Sequence, residues 1–476
     1  MKFLKRIWAT IDDRLGASKL LGSVLDHPVP KADGWVGWSY AIGSGVLFSF
    51  ILQVVTGIAL ASAYIPSTGN AYDSLTFITE QATLGGVLRG MHYFGASAMI
   101  ILIGLHMIQT YLVGAYKFPR EANWLTGVVL LLVTLALAFT GQLLRWDQTA
   151  YWSVFVLANQ VARTPVLGHQ LAQLVLAGNT VGGATLTRFY AFHVFFLPAL
   201  IFAFVGVHLW LVLHTGVSEP PKAGRLVDPQ TYRAWYHRLL EREGVPFWPD
   251  AAWRDLALGI GILLAIAALA ILVGPPLLEQ QPDPTVIEAY PRPDWYFTWI
   301  FAALALIPSS LEDIAILGAP LVFGILIIAL PFFANRGERS PKRRPWALAV
   351  VMIALLMIGT LYVAGERAPW SPAFNAPPLP PAVVGSVSGQ AANGAALFHT
   401  KGCEDCHSIA GYGGRRGPDL TYVGDRLRPE QVTIRILNGG GGMPAYAGTV
   451  SSEELSDLVD FLASRKSPAV GQEPSR

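Results

Sequence analysis

The stretch MHYFGASAMIILIGLHM occupies residues 91–107. It is almost wholly apolar, yet it carries His92 and His106, 14 positions apart. On a helix, 14 residues rise about 21 Å and turn about 1400°, some 40° short of four full turns. Both imidazoles therefore share one face, near opposite ends of a single bilayer span. A second stretch, FHVFFLPALIFAFVGVHLW (192–210), repeats the pattern with His193 and His208, 15 apart. That spacing overshoots four turns by only about 60°. One histidine in a buried helix reads as a hydrogen-bonded core residue or a pH-sensitive group. Four in two matched pairs read as ligands, because imidazole binds metals and an idle polar group is costly at lipid depth. Two such helices can clamp two flat cofactors stacked across a membrane.

Working outward, the chain of 476 residues is 53% hydrophobic and only 14% charged. That composition belongs to an integral membrane protein. A net charge of +2 says nothing about partners, whereas its distribution does, and no nucleic-acid role is expected. The segment KRIWATIDDRLGASK near the start is charged and amphipathic, so the first span is expected to serve for insertion. Long charge-poor runs at 34–72, 90–116, 122–144, 189–218, 256–273, 314–335 and 346–365 predict seven spans once trimmed to bilayer length. Residues 164–187 are too polar for lipid and 295–311 are short and contain Pro308. Both are expected as helical pieces at the bundle surface.

Lys and Arg number six in residues 1–33, two in the second loop (Lys117, Arg120), six between the fourth and fifth spans and five between the sixth and seventh. The alternate loops are poor: 63–87 has none and 276–313 has only Arg292. The positive-inside rule then predicts a cytoplasmic N-terminus, and seven crossings an extracytoplasmic C-terminus.

After the last span, APWSPAFNAPPLPPAVVGS (368–386) reads as a stiff, extended linker. Beyond it the composition turns soluble. KGCEDCHS places Cys403, Cys406 and His407 in the C-x-x-C-H pattern of c-type haem attachment, and these are the only two cysteines. Two thiols bond the porphyrin and the adjacent histidine binds the iron. The competing readings are a redox or disulfide pair, or half of a zinc site. Those would want a βαβ context or further Cys and His. In NGGGGMPAY, Met443 is the candidate sixth ligand, since glycines let backbone approach a haem and a His/Met pair raises its potential. A surface methionine is the alternative. LFHTKG before the motif and SSEELSDLVDFLAS (451–464) after it read as two helices closing a small domain, with Ser451 and Glu454 as a capping box. C-type haem is attached outside the cytoplasm, which agrees with the topology.

By this point the chain resembles a known family over almost its whole length. QVVTG (53–57), NWLTGVVL (123–130), WDQTAYW (146–152) and TLTRFYAFH (185–193) resemble cytochrome b of the bc-type quinol oxidoreductases, in particular the b6f branch. The 15-residue spacing in the fourth span is the b6f-type spacing. Residues 253–365 resemble that branch's subunit IV, here continuous with the first part, and the tail resembles a class I cytochrome c. The fold expected is all-α: a seven-helix transmembrane haem-binding bundle followed by a small soluble α-helical cytochrome c domain. The domains expected are 1–218 (four-helix di-haem part), 219–367 (three-helix part), 368–388 (linker) and 389–476 (cytochrome c).

The resemblance implies that His92 with His193 hold a low-potential haem near the outer face. It pairs His106 with His208 around a high-potential haem near the cytoplasm. Gly43 and Gly57 in the first span, and Gly127 and Gly141 in the third, repeat the 14-residue spacing and leave room for the porphyrins, or simply pack helices closely. Arg89 and Arg188 are candidates for haem propionates, or interface anchors. In PRPDWYF, Pro293, Asp294, Trp295 and Tyr296 match the family's outer quinol-oxidation tetrapeptide, which usually has Glu second. The carboxylate there accepts a quinol proton, with Asp294 and Tyr296 the catalytic pair. The Asp form resembles versions in menaquinone-using bacteria, so menaquinol is the expected substrate. His214, with Lys222 or Arg225, borders an inner quinone site or is merely interfacial. Two departures stand out: Ala41 replaces the cysteine that attaches an extra haem in the b6f branch, and Arg145 in LRWDQ (144–148) replaces the usual Pro.

Together these imply a fused cytochrome b–cytochrome c subunit of a proton-translocating quinol:cytochrome c oxidoreductase of a respiratory chain. It would carry two non-covalent haem b, one covalent haem c and a quinone. A separate Rieske iron–sulfur protein, an acceptor such as a cytochrome c and the quinone pool are the expected partners, within a homodimeric complex of a bacterial cytoplasmic (inner) membrane. The alternatives are a di-haem anchor passing electrons between quinone and a peripheral dehydrogenase or reductase, and a transporter with a histidine proton relay. The former has fewer helices and no PDWY-type loop. The latter would leave C-x-x-C-H unexplained.

Overall fold

The computed structural model describes residues 24–283, 291–368, 376–414, 416–439, 443 and 445–467, with scattered positions between 9 and 22. For Ser309, Ser310, Glu312 and Asp313 only the backbone is described. Parts of three expectations fall outside these residues: the N-terminal amphipathic segment, linker positions 369–375, and Gly440 to Gly442 beside Met443.

Among the described residues the chain is overwhelmingly helical, with three two-residue to three-residue antiparallel strand pairs as its only sheet. It divides into a membrane unit, ending at Tyr362, and a C-terminal unit from Val363. Among the described residues, seven helices are long and apolar enough to span a bilayer: Gly34–Ala61, Gly85–Leu112, Glu121–Leu143, Gly183–Thr215, Phe247–Leu272, Ile314–Phe333 and Pro345–Arg367. The expected count is therefore met, with shifted ends. The first span stops at Ala61, and a separate amphipathic helix, Ala71–Glu80, buries Leu75 and Ile78. The fourth begins at Gly183, because Thr185 inside its first turn is fully buried and hydrogen-bonds the Leu176 carbonyl. Of the two expected surface pieces, 164–187 holds helix Gly168–Leu176 and the start of the fourth span, and 295–311 holds helix Thr298–Leu306; helix Gln148–Ala162 was not expected.

In the membrane unit the first span packs on the second and the third on the fourth. The fifth span covers the first pair, with Gly259 against Phe48 and Gly90 against Ala270. The sixth docks on the third, where Trp124 Nε1 donates to the Ile327 carbonyl at 2.7 Å. All the Lys/Arg-rich loops gather at one end. Lys117 Nζ donates to the carbonyls of Ala334 and Arg336, Arg120 to that of Gly216 and Arg344 to those of Tyr111 and Leu112. Arg339 is paired with buried Glu219. Buried charges need such partners, so this clasp ties the second loop to the fourth and sixth spans. The opposite end is joined through Tyr72 to the Glu279 carbonyl (2.7 Å) and Thr149 to the Glu279 carboxylate (2.7 Å).

In the C-terminal unit, helices Gln390–Thr400 and Ser452–Ala463 cross closely around Phe398, Leu458 and Phe461. A Cβ on Gly394 would lie 2.0 Å from the Asp457 carbonyl oxygen, so only glycine permits this crossing. The Ser451/Glu454 capping box is formed in both directions (3.2 and 2.8 Å). The extended linker is corrected in its second half. Leu379 is buried in this core, Val383 and Val384 pack beside it, and Arg465 bonds both of their carbonyls. Three apolar side chains among the prolines gain more from burial than an exposed spacer would.

Candidate functional site

Each membrane histidine projects from one span toward a glycine of the neighbouring span. A Cβ on Gly57 would lie 3.2 Å from His92, on Gly43 3.1 Å from His106, on Gly141 2.6 Å from His193 and on Gly127 3.6 Å from His208. The glycines thus admit imidazole edges. Beside them stand residues the sequence reading missed. Thr56 Oγ1 is 2.9 Å from His92 Nδ1, Thr140 Oγ1 3.2 Å from His193 Nδ1 and Thr126 Oγ1 2.8 Å from His208 Nδ1. Each hydroxyl already donates to its own helix, to Leu52, Ala136 and Ala122 carbonyls respectively. It must therefore accept from the imidazole, which fixes the proton on Nδ1 and leaves the Nε2 lone pair free. For His193 the Leu137 carbonyl at 3.0 Å demands the same tautomer. The signal was a Thr-Gly dipeptide at 56–57, 126–127 and 140–141.

Partners 14 residues apart in the third span meet histidines 15 apart in the fourth. The extra residue is absorbed by a π-turn at Phe192–Phe196. Pro198 supplies its cause, since it has no N–H to donate to the Val194 carbonyl and its ring crowds that group. The His92 and His193 rings lie 6.3 Å apart between centroids, with planes at 76°. That gap accommodates an atom bonded to one nitrogen of each ring at the usual metal–imidazole distance of about 2.0–2.1 Å. The donor set, tautomers and ring gap therefore fit a bis-histidine haem. At the second level His106 faces Gly43 and His208 faces Gly127. Arg89 is buried and donates to Thr79 Oγ1 (3.2 Å), and Arg188 is half-buried on the Leu174 carbonyl. Ala41 is fully buried beside Gly43.

The Pro293–Tyr296 loop is pinned on the bundle. Gln142 Nε2 donates to the Arg292 carbonyl (3.3 Å) and Trp295 Nε1 to Ser97 Oγ (3.2 Å). Buried Tyr296 donates its hydroxyl to Asp294 Oδ2 at 2.8 Å. Burial raises the Asp294 carboxyl above the usual range, outweighing the Tyr296 hydrogen bond and the Arg145 charge that favour ionisation. Burial also raises the Tyr296 phenol, so it stays a neutral donor. Arg145 lies at this wall, ion-paired at 3.0 Å with fully buried Asp147, whose carboxylate caps helix Gln148–Ala162. The inner-site candidates do not converge. His214 is exposed and stacked on Trp210 (5.3 Å), Arg225 stacks on Trp235 (3.1 Å) and Lys222 is exposed.

In the C-terminal unit, Cys403 and Cys406 are half-buried free thiols. Burial pushes the Cys403 thiol up to about 12 and also raises Cys406. His407 is held neutral by burial, and its Nδ1 faces the Pro418 carbonyl at 2.8 Å, leaving Nε2 free. Gly417 lies against that ring, where a Cβ would approach to 2.5 Å. Met443 is half-buried, three residues before Tyr446, which packs on the core together with Cys403.

This arrangement matches known proteins along most of the chain. The family model described as cytochrome b/b6/petB matches residues 25–216, and that of cytochrome b(C-terminal)/b6/petD matches 281–376. Cytochrome b of Allochromatium vinosum is 32% identical over 340 residues, covering 68% of this chain and 80% of that protein. The chain belongs to the cytochrome b family. The menaquinol:cytochrome c reductase cytochrome b subunit of Bacillus subtilis is 38% identical over 223 residues, 46% of this cytochrome b chain and 99% of that protein. A solved chain titled hyperthermophilic respiratory Complex III superposes with a TM-score of 0.63 at 25% identity, covering 75% of this chain and 91% of that one. Residues 389–462 match the family described as cytochrome C oxidase, cbb3-type, subunit III. Haem b and haem c are the cofactors these cytochrome domains imply.

Proposed function

We propose that this cytochrome b–c chain is the subunit of a quinol:cytochrome c oxidoreductase that oxidises menaquinol at the Pro293–Tyr296 loop. The observation that carries the reading is the set of membrane histidines, three of them tied at Nδ1, all facing glycines at two levels of one bundle. His92 with His193, and His106 with His208, would hold two non-covalent haem b. Cys403 and Cys406 would attach one haem c, with His407 and Met443 as its axial ligands. Haem iron would supply reversible one-electron chemistry, and the two electrons of a quinol would then part, one toward a Rieske iron–sulfur partner and the c-type domain, the other toward the groups held at the two histidine levels.

The chain's own residues do the rest. Trp295 and Gln142 fix the loop, and Tyr296 holds the Asp294 carboxylate in place. Asp294, with its raised proton affinity, takes the proton that a quinol hydroxyl must lose as its electron departs. The Lys/Arg-rich end is cytoplasmic by the positive-inside rule, so the Asp294 end is extracytoplasmic and releases protons there. Proton uptake for quinone reduction would belong at the His106/His208 end. The domain limits proposed are those of the sequence reading, with residues 379–384 reassigned to the cytochrome c domain. A homodimeric complex in a bacterial inner membrane completes the proposal.

The test is quinol:cytochrome c reductase activity of the purified complex, compared with Asp294→Asn. Loss of activity with all haem retained supports the reading. Full activity in Asp294→Asn overturns the site assignment.

A further inference from the structure

The four membrane histidines contain their own control. Three of the four glycines they face are preceded by threonine: Thr56, Thr126 and Thr140. The fourth, Gly43, is preceded by Ile42. The poses are otherwise alike. A Cβ on Gly43 would meet His106 Cε1 at 3.1 Å, and one on Gly57, 14 residues further along the same span, would meet His92 Cε1 at 3.2 Å. Yet His92 Nδ1 has the Thr56 hydroxyl at 2.9 Å, whereas His106 Nδ1 is buried with no hydrogen-bond partner among the described residues.

We propose that Ile42 sets the electron-donating strength of His106 and thereby raises the reduction potential of the haem held at the His106/His208 level. The inference rests on the haem-ligand reading above. A hydrogen bond from Nδ1–H to an acceptor makes an imidazole a stronger donor at Nε2, which stabilises the ferric state and lowers the potential. At the His92/His193 level both imidazoles donate, and His193 has two acceptors, Thr140 and Leu137. At the other level, among the described residues, only His208 donates, to Thr126 and to the Asn123 carbonyl. The difference is one hydroxyl, deleted by one side chain. Its sign makes the His106/His208 haem the easier of the two to reduce. Ile42 is a positioning residue by omission: it precedes Gly43, the glycine that His106 faces, and acts only through His106.

The experiment is a redox titration of the two b-type absorbance bands in the purified complex, for wild type, Ile42→Thr and Ile42→Val. Valine has threonine's shape without its hydroxyl and controls for packing. Ile42→Thr is expected to shift one b band to lower potential and narrow the gap between the two. Ile42→Val is expected to leave the gap unchanged. Equal shifts in both variants, or none in Ile42→Thr, overturn the proposal. If Ile42→Thr does not assemble, Thr56→Val gives the reciprocal reading, with the other band expected to move up; an unmoved band again overturns it. Haem content separates the two layers of the argument. A His106→Ala protein that retains both b haems refutes the ligand assignment itself, whereas full loading with unmoved potentials refutes only the role of Ile42.

Discussion

The membrane bundle and the C-terminal domain prepare imidazoles in the same way but assemble them differently. In both, an oxygen acceptor faces Nδ1 and a glycine lies against the ring: Pro418 and Gly417 for His407, Thr140 and Gly141 for His193. In the C-terminal domain the cysteines, the histidine and its acceptor fall within sixteen consecutive residues, 403–418. In the bundle, histidine and hydroxyl are 36, 53 or 82 residues apart and meet only because two helices pack in register. The first site is a local spelling. The second is a product of tertiary structure, and each of its contacts depends on a glycine that lets two spans approach.

The largest effect that separates the two regions is ligand removal. His193→Ala is expected to abolish quinol oxidation and to cost b-type haem while the c-type signal stays intact, as read by pyridine haemochrome assay. Loss of the c signal as well would mean the two regions do not load independently. Next is Asp294→Asn, expected to slow quinol oxidation by about 10²–10⁴-fold, the usual contribution of a general base, with haem content unchanged. The sign of its pH dependence follows from burial. Asp294 accepts a proton only when ionised, and its proton affinity is raised. Wild-type activity should therefore fall on the acid side at a pH above the ordinary carboxylate value of about 3.9. An acid limb at or below that value contradicts the assignment.

A smaller effect sharpens the register argument. A Cβ at Gly141 would come within 2.6 Å of His193, and one at Gly127 only to 3.6 Å of His208. Gly141→Ala should displace the ring and weaken haem retention by about 10-fold or more, the usual effect of disturbing a ligand's support. Gly127→Ala should be nearly silent in the same haem-retention assay. The smallest effect concerns stability alone. Gly394→Ala forces the crossing of Gln390–Thr400 and Ser452–Ala463 apart and is expected to cost about 1–3 kcal/mol, seen as a lower unfolding temperature of the c-type domain in the full chain.

Much of this architecture was legible beforehand, for physical reasons that differ by residue. The seven spans were readable because lipid demands long apolar runs, and His92 with His106 because 14 residues nearly close four helical turns. The 15-residue spacing of His193 and His208 was readable as a second such face, some 60° past four turns, but the π-turn that absorbs the extra residue was not. Its π-turn follows from Pro198, whose effect depends on which carbonyl it crowds. The threonine acceptors were spelled out as Thr-Gly, but a hydroxyl in a membrane helix usually bonds its own backbone, so their second role needed the neighbouring span. Helix Ala71–Glu80 lies almost wholly in the loop read at 63–87, past the end of the 34–72 apolar run, and ten amphipathic residues are too short to stand out there. The Arg145–Asp147 pair and the pinning of the Pro293–Tyr296 loop by Gln142 and Ser97 join distant segments and left no local signal. Leu379, Val383 and Val384 were masked by the surrounding prolines.

The most direct test of the central claim is haem quantification on the purified wild-type complex: reduced-minus-oxidised spectra, pyridine haemochrome assay and acid-acetone extraction. Two extractable b-type haems and one c-type haem that survives extraction, per chain, are the predicted result. A properly folded chain with no b-type haem, or with a c-type signal lost on extraction, would contradict it.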